Sequence, residues 1–405
     1  MTILETTTAD ALTGGTAPTT EQLLELAREM RPRLVERAAW VDENRRIPEA
    51  TLEELHSAGF FKYWVPRRFG GSGGSLKGYM QISAELAKSC PATSWVWAFC
   101  TGTIGFTGMF LSAEGAGKVY GSSDCTVVAG GLTLAGTATK VEGGYRVTGS
   151  WGFVSGLLHS NWVMGNTMVL GENGEPVGPA MAFFPVSDGT IKETWKVVGM
   201  RGTGSNTFSV EDVFVPDELM CLDMNANGKG IAEADRDPLD RTPLAPLLSV
   251  GICGPLLGIA DAIVEMVAAN VHTRGITHFD FTKQADSAVV LERIGEAKIR
   301  IDGARLLVER AAYELEETTK TTELSLERRA WCRVAGGQAV EELRSSVDSL
   351  MTIAGASAFA EASVLQRFWR DLSVGSRHAL VNTRPLYEVY GRAYCGVEPN
   401  ITQFL

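Results

Sequence analysis

The chain has 405 residues, 45% hydrophobic and 21% charged, a folded protein's balance and enough length for two or three domains. With 37 Lys and Arg against 48 Asp and Glu, its net charge of −11 repels a phosphate backbone, which speaks against a nucleic-acid partner. Seven scattered cysteines without a Cys-x-x-Cys pair, and five histidines without an i,i+4 pair, speak against a disulfide framework and a metal site. They suit a reducing, cytoplasmic setting.

In chain order, residues 1–19 are Thr-rich, lack the basic start and apolar core of a signal peptide, and read as a disordered tail. An N-terminal helical domain follows over 20–124. Leu23, Leu24, Ala27, Met30, Leu34 and Ala38 recur at three- and four-residue steps along one helical face. Pro48 opens a second helix and Gly59 closes it. FFKYWVPRRFGGSGGS reads as a flexible glycine loop with an apolar lead-in. From Ser89 to Ala113 no residue is charged. The length would span a bilayer, but threonines, serines and glycines dilute it and no Lys/Arg bias flanks it, so it reads as a buried helix.

Residues 125–225 read as a central β domain, an antiparallel sandwich or barrel of short β-rich runs broken by turns such as Glu142-Gly143-Gly144. A polar linker leads to a helical bundle over 240–405. One of its stripes is Leu291, Ile294, Ile301, Ala304 and Val308; another is Val340, Leu343, Val347, Leu350 and Ala354.

Nucleotide P-loop, zinc-protease and G-x-G-x-x-G patterns are missing, so no nicotinamide domain is indicated. Gly70 to Gly74 matches G-x-S-x-G, but Pro66-Arg67-Arg68 precedes it where a hydrolase needs a strand. Two clusters remain. Gly149-Ser150-Trp151-Gly152-Phe153-Val154-Ser155-Gly156 combines aromatic rings, glycines and hydroxyls, which suits a planar ring, although composition alone favours a buried strand and turn. Gly199 to Asn206 is a polar glycine loop, an anion cradle or a surface turn. Arg370-Asp371 and His378 near the end read on their own as a salt bridge and a core histidine.

Together these segments resemble the acyl-CoA dehydrogenase fold. The likeness runs from about residue 20 to the C-terminus in collinear order. It is carried by HSAGFFKYWVPRRFGGSGGS, GSWGFVSGLLHSNWVM, KVVGMRGTGSNTFSVEDVFVP and AGASAFAEASVLQRFWRDL. The resemblance implies an α+β, mainly α architecture, a flavin between the β domain and the bundle, and a homotetramer. Where the dehydrogenases carry a Tyr-Glu-Gly-Thr motif with the catalytic glutamate, this chain reads Ser376-Arg377-His378-Ala379. Trp151/Phe153/Ser155/Gly156 and Arg370/Asp371/His378 are instead similar to the flavin-dependent monooxygenases of this fold. These are the oxygenase components of two-component hydroxyphenylacetate and steroid-phenol hydroxylases, dibenzothiophene monooxygenase and the nucleotide-aminosugar N-oxygenases. The histidine by which some aromatic hydroxylases hold a phenol is absent between Cys100 and Met109.

The resemblance implies that reduced flavin, FAD or FMN, arrives from a separate NAD(P)H:flavin reductase. It would react with O2 to a C4a-hydroperoxide in a dry site. The distal oxygen would pass to an electron-rich small molecule, above all an aromatic or polyketide-like ring. His378 and Ser155 are the implied catalytic residues: His378 manages the hydroperoxide proton by titrating near neutral pH, and Ser155 bonds near N5. Trp151 and Phe153 would form the dry wall. Arg201, Thr203 and Ser205 would line the pocket or the flavin phosphate. Arg274 would reach a neighbouring subunit's flavin phosphate, and Gly355 and Arg370 also belong to the implied cofactor site. An aminosugar N-oxygenase, an acyl-CoA dehydrogenase with a relocated base and a non-catalytic member of the fold stay open as alternatives.

Overall fold

The computed structural model of the protein describes residues 17–405 apart from 124, 224–227, 229, 230 and 403. Most of the expected N-terminal tail, up to residue 16, lies outside the described residues. Thr19, at its end, has a defined role as a helix cap: its side chain accepts from the Gln22 N–H, and the Gln22 side chain returns to the Thr19 N–H.

Among the described residues the first helical layer holds α1 (Thr20–Asn44), α2 (Glu49–Ser57), α3 (Leu76–Ala87), α4 (Pro91–Phe110) and α5 (Ala113–Tyr120). The strands are β1 (Val128–Val141), β2 (Gly144–Val154), β3 (Trp162–Leu170), β4 (Pro176–Pro185), β5 (Thr190–Lys192), β6 (Asn206–Pro216) and β7 (Met220–Cys221). The second helical part is α6 (Leu244–Gly251), α7 (Cys253–Asn270), α8 (Ala288–Glu317), α9 (Leu326–Ala354), α10 (Val364–Gly375) and α11 (Thr383–Cys395).

The uncharged stretch is α4. Pro91 fills its first position, where a missing N–H costs nothing, and every residue but Phe99 is buried. Two of its threonines bond back to the helix backbone, Thr103 Oγ1 to Phe99 O and Thr107 Oγ1 to Thr103 O. A second run, Leu244–Asn270, is also long and apolar enough to cross a membrane, and 89% of its most apolar window is buried inside the protein. Helix α4 is packed between α3, α7 and β1, so it touches all three parts of the chain. The apolar lead-in at Phe60, Phe61, Tyr63 and Trp64 is buried against it, with Trp97 Nε1 donating to Phe60 O. The glycine loop after it is tightly packed, not flexible: a Cβ on Gly71 would stand 2.0 Å from Val65 O. On α8 the expected stripe begins one position early. Val290 is buried and Leu291 is exposed, after which Ile301, Ala304 and Val308 face the core as expected.

The strands form one mixed sheet in the order β5-β6-β2-β1-β3-β4-β7. It departs from a purely antiparallel arrangement in one ladder: β1 and β3 run parallel, with Val128 opposite Trp162. The chain leaves β2 through the turn at Leu157–His159 and re-enters beside the start of β1, which forces the same direction. The sheet curls around Trp151. Its fully buried indole lies 5.6 Å from Phe184 and 6.5 Å from Phe208, and Nε1 donates to Asn166 O. A Cβ on Gly131, Gly136, Gly149 or Gly165 would stand 2.5–2.6 Å from Trp151, so these glycines make room for the ring.

Candidate active site

Strand β2 aims its last residues differently from its first. The β2–β6 register shifts between Trp151 and Val154, and this bulge puts Phe153 at φ +60°, 75% exposed, with its ring edge-on to Trp195 at 5.7 Å. A phenylalanine in the left-handed region is strained, and here the strain presents a flat apolar face outward. Trp151, expected beside it in a cofactor wall, points the other way and is core of the β domain.

Ser155 follows and is buried. Its Oγ accepts from Trp95 Nε1 at 3.2 Å and lies 2.8 Å from Ser205 Oγ, which lies 2.7 Å from Thr203 Oγ1. Thr203 Oγ1 donates to Met200 O at 2.8 Å. Each hydroxyl has a single hydrogen, so the carbonyl sets the sense of the whole chain. Thr203 gives its hydrogen to Met200, Ser205 donates to Thr203, and Ser155 donates to Ser205. Ser155 Oγ keeps one lone pair and no free hydrogen. Thr203 and Ser205, expected to line the pocket or a flavin phosphate, are buried and bonded in series to Ser155.

Met200 is held in turn. Its N–H donates to the buried Asp371 carboxyl, whose pKa burial pushes up to about 7, and its carbonyl also accepts from Trp195 Nε1 at 2.9 Å. Close packing seats this turn on α10, since a Cβ on Gly199 would stand 2.1 Å from Arg370 O. Arg370 is engaged within the protein. Its Nη2 donates to Asp42 at 2.9 Å and its Nε to Gln366 at 2.6 Å. Arg201 lies 3.8 Å from the same Asp42. Both arginines are drawn to one carboxylate of α1, which ties α1, the turn and α10 together.

His378 faces Trp95 from the bundle side, with ring centroids 6.2 Å apart, and lies 5.5 Å from Phe99. Its Nδ1 accepts the Leu380 N–H at 3.3 Å, so the neutral ring carries its hydrogen on Nε2. Desolvation by its apolar surroundings pushes the pKa down to about 4. These surroundings favour the neutral ring, with Nε2–H as a donor, over a group that titrates near neutral pH.

Phe99, which packs against His378, and Leu380 line a small, mostly apolar cavity of about 40 Å³. Its walls come from α4 (Phe99, Gly102, Phe106), β1 (Gly130, Leu132), α6 (Leu247, Leu248) and Leu380, with no carboxylate and no cation among the described lining residues. Gly102 is open toward free space: a Cβ there would meet nothing within 4 Å.

Arg274 and Gly355 lie together elsewhere, at the C-terminal ends of α7 and α9. Arg274 Nη2 donates to Ser357 Oγ and would stand 3.7 Å from a Cβ on Gly355, which has φ +69°. A guanidinium, a hydroxyl and a bare glycine suit a phosphate. Sequence reasoning missed Trp95, Met200 and Asp371 as parts of the site; the Arg-Asp pair was a signal, but its aspartate carries the contact with Met200.

The family described as acyl-CoA dehydrogenase, N-terminal domain, matches residues 17–140, and its C-terminal domain matches residues 250–383. The chain is 30% identical over 374 residues to the flavin-dependent monooxygenase oxygenase subunit HsaA of Mycobacterium tuberculosis, covering 92% of this chain and 94% of that one. It is 27% identical to the FADH(2)-dependent resorcinol hydroxylase oxygenase component of Rhizobium sp., covering 89% and 91%. Among solved structures it is similar to XiaF from Streptomyces sp. in complex with FADH2 and glycerol: TM-score 0.90, 30% identity, 95% of this chain and 98% of that one.

Proposed function

Because the chain belongs to the flavin-dependent monooxygenases of the acyl-CoA dehydrogenase fold, as an oxygenase component, we propose that it hydroxylates an electron-rich, largely apolar aromatic molecule. As an oxygenase component it uses reduced flavin and O2 and depends on a separate flavin reductase. The observation that carries the substrate reading is that the described residues lining the small cavity, Phe99 beside His378 among them, are uncharged.

The residues fit a reduced flavin. Ser155 Oγ can accept a hydrogen bond but not give one, which suits a ring whose N5 bears hydrogen and disfavours the oxidised ring, whose N5 is an acceptor. Phe153 offers an apolar face, and His378 Nε2–H a donor that stays in one protonation state across neutral pH. Arg274, Gly355 and Ser357 would hold a flavin phosphate of a neighbouring subunit. When bound, the flavin supplies the electrons that activate O2. The chain's own part is to exclude water with Trp95, Phe99 and Phe153, to anchor the ring from Ser155, and to direct a fixed proton from His378 Nε2.

Two alternatives lose support. A dehydrogenase needs a base near its substrate, and no carboxylate is among the described residues that line the cavity. A nucleotide-linked sugar needs cations for its phosphates, and none lines it either. A homotetramer is supported by the outer face of α8, where Ile299, Leu306 and Tyr313, seven residues apart, are 69%, 67% and 58% exposed. The free state of all seven cysteines, five of them buried, suits the cytoplasm.

The test supplies NADH, a flavin reductase, FAD and 18O2 to the protein with resorcinol and 2-naphthol as probes. Hydroxylated product bearing one 18O atom is the expected result. Hydrogen peroxide as the sole product, across these and larger phenols, would oppose the reading.

A further inference from the structure

Asp371 is an unfavourable residue for its place. It sits on α10 at 4% exposure, and among the described residues no lysine or arginine forms an ion pair with it; its neighbour Arg370 and the nearby Arg201 turn to Asp42 instead. A carboxyl buried without a cation costs free energy, and an apolar side chain would fill the place without that cost. What the carboxyl does there is accept the Met200 N–H.

Met200 needs that contact. Its φ of +53° lies in the left-handed region, where a residue with a β-carbon is strained, and its side chain is buried. The strained residue is held at both ends. Asp371 holds the N–H. The carbonyl accepts from Thr203 Oγ1 at 2.8 Å, from Trp195 Nε1 at 2.9 Å and from the Thr203 N–H at 3.2 Å. This carbonyl is the acceptor that orients the hydroxyls of Thr203, Ser205 and Ser155. Helix α10 meets the other support of Ser155 as well. A Cβ on Gly375, one turn after Asp371, would stand 2.9 Å from both Met200 Cε and Trp95 Cζ3, so both side chains converge on bare helix backbone. Trp95 is the donor to Ser155 Oγ.

We propose that Asp371 is a positioning residue for flavin redox selectivity: by holding the Met200 N–H it keeps the Met200 carbonyl aimed at Thr203, and so keeps Ser155 Oγ an acceptor that favours reduced over oxidised flavin. This rests on the reading that Ser155 meets flavin N5. Without the carboxyl, Met200 relaxes toward an ordinary negative φ and its carbonyl turns from Thr203. The Thr203 hydrogen is then free to point to Ser205, the Ser205 hydrogen to Ser155, and the Ser155 hydrogen to an acceptor such as oxidised N5. Asp371 acts through Met200 and the hydroxyls, with no hydrogen bond of its own to Ser155.

The test is anaerobic titration of the full-length protein with reduced and with oxidised FAD, read as the ratio of the two affinities. Asp371→Leu removes the acceptor and is expected to lower that ratio by about ten-fold, the worth of one hydrogen bond, or about 30 mV in the two-electron potential of bound flavin. Asp371→Asn keeps an oxygen for the Met200 N–H and is expected to hold the ratio within about two-fold of wild type. Where Asp371→Leu does not fold, the α-hydroxy analogue of methionine at position 200 replaces that N–H by an ester oxygen, leaves every side chain in place, and should give the same loss. A purely structural role would weaken both flavin forms alike and leave the ratio unchanged. An unchanged ratio in Asp371→Leu or in the ester, beside a lowered ratio in Ser155→Ala, would overturn the role of Asp371 and leave the Ser155 reading standing. So would a loss in Asp371→Asn equal to that in Asp371→Leu. An unchanged ratio in Ser155→Ala would overturn both.

Discussion

Trp95 Nε1 donates to Ser155 Oγ at 3.2 Å, and the same indole faces His378 at 6.2 Å. One residue of a buried helix thus joins a serine of the β domain to a histidine of the bundle. Neither functional residue touches the other, and their relative placement depends on how α4 is packed.

The hydroxyl chain makes the first prediction. Ser155→Ala removes the acceptor, and Thr203→Val frees the Ser205 hydrogen to reverse the chain. Both should lower the ratio of reduced to oxidised flavin affinity by about ten-fold, the worth of one hydrogen bond. Anaerobic titration with each flavin form checks this. A ratio unchanged in both variants would show that Ser155 does not discriminate redox state.

The neutral state of His378 gives a pH prediction. Its folded pKa of about 4 lies below the unfolded value of about 6.5, so the unfolded chain takes the proton first as pH falls. The stability held at neutral pH is therefore lost as pH falls through that window, with a slope of at most about 1.4 kcal/mol per pH unit. His378→Asn keeps an acceptor for the Leu380 N–H and has nothing to titrate. Wild type should lose stability relative to this variant between about pH 6.5 and 4 in denaturant unfolding. Asp371, raised by burial, titrates in the opposite sense over an overlapping range and cancels in the comparison. Product formed per reduced flavin consumed should likewise show no inflection near pH 6.5.

Gly102 sits inside a helix without a packing reason. Gly102→Ala should stabilise the protein by about 0.5–1 kcal/mol, since alanine has less chain freedom to lose. Gly102→Leu should fill the cavity and abolish binding of aromatic probes while flavin affinity stays within about two-fold of wild type. Thermal unfolding and calorimetry separate the two effects.

Asp42 gathers Arg370 and Arg201, and this arrangement is structural. Asp42→Ala should cost about 2–4 kcal/mol by leaving two partly buried guanidinium charges without their carboxylate. Flavin affinity of the fraction still folded should be nearly unchanged. A large loss of flavin affinity without loss of stability would return these arginines to the cofactor site.

The order of helices, sheet and bundle was legible because hydrophobic period changes along the chain, and long stripes such as Val340 to Ala354 carry that signal clearly. Resemblance, and not local pattern, is what points to Ser155, Phe153 and His378 as candidates. Alternation alone cannot show the bulge that turns Phe153 outward while Trp151 faces the core. Nor can it show that Arg370 is spent on Asp42, 328 positions away in the chain. Nor does the sequence show that tertiary packing desolvates the His378 ring and lowers its pKa below the free-residue value. Long-range contacts are the part that local pattern does not encode.

The most direct measurement is rapid mixing of the protein, loaded anaerobically with reduced FAD, against oxygenated buffer. The account predicts a transient absorbance, distinct from both reduced and oxidised flavin, that lasts longer in wild type than in His378→Ala or Ser155→Ala. Direct reoxidation at the rate of free flavin, identical in all three proteins, would contradict it.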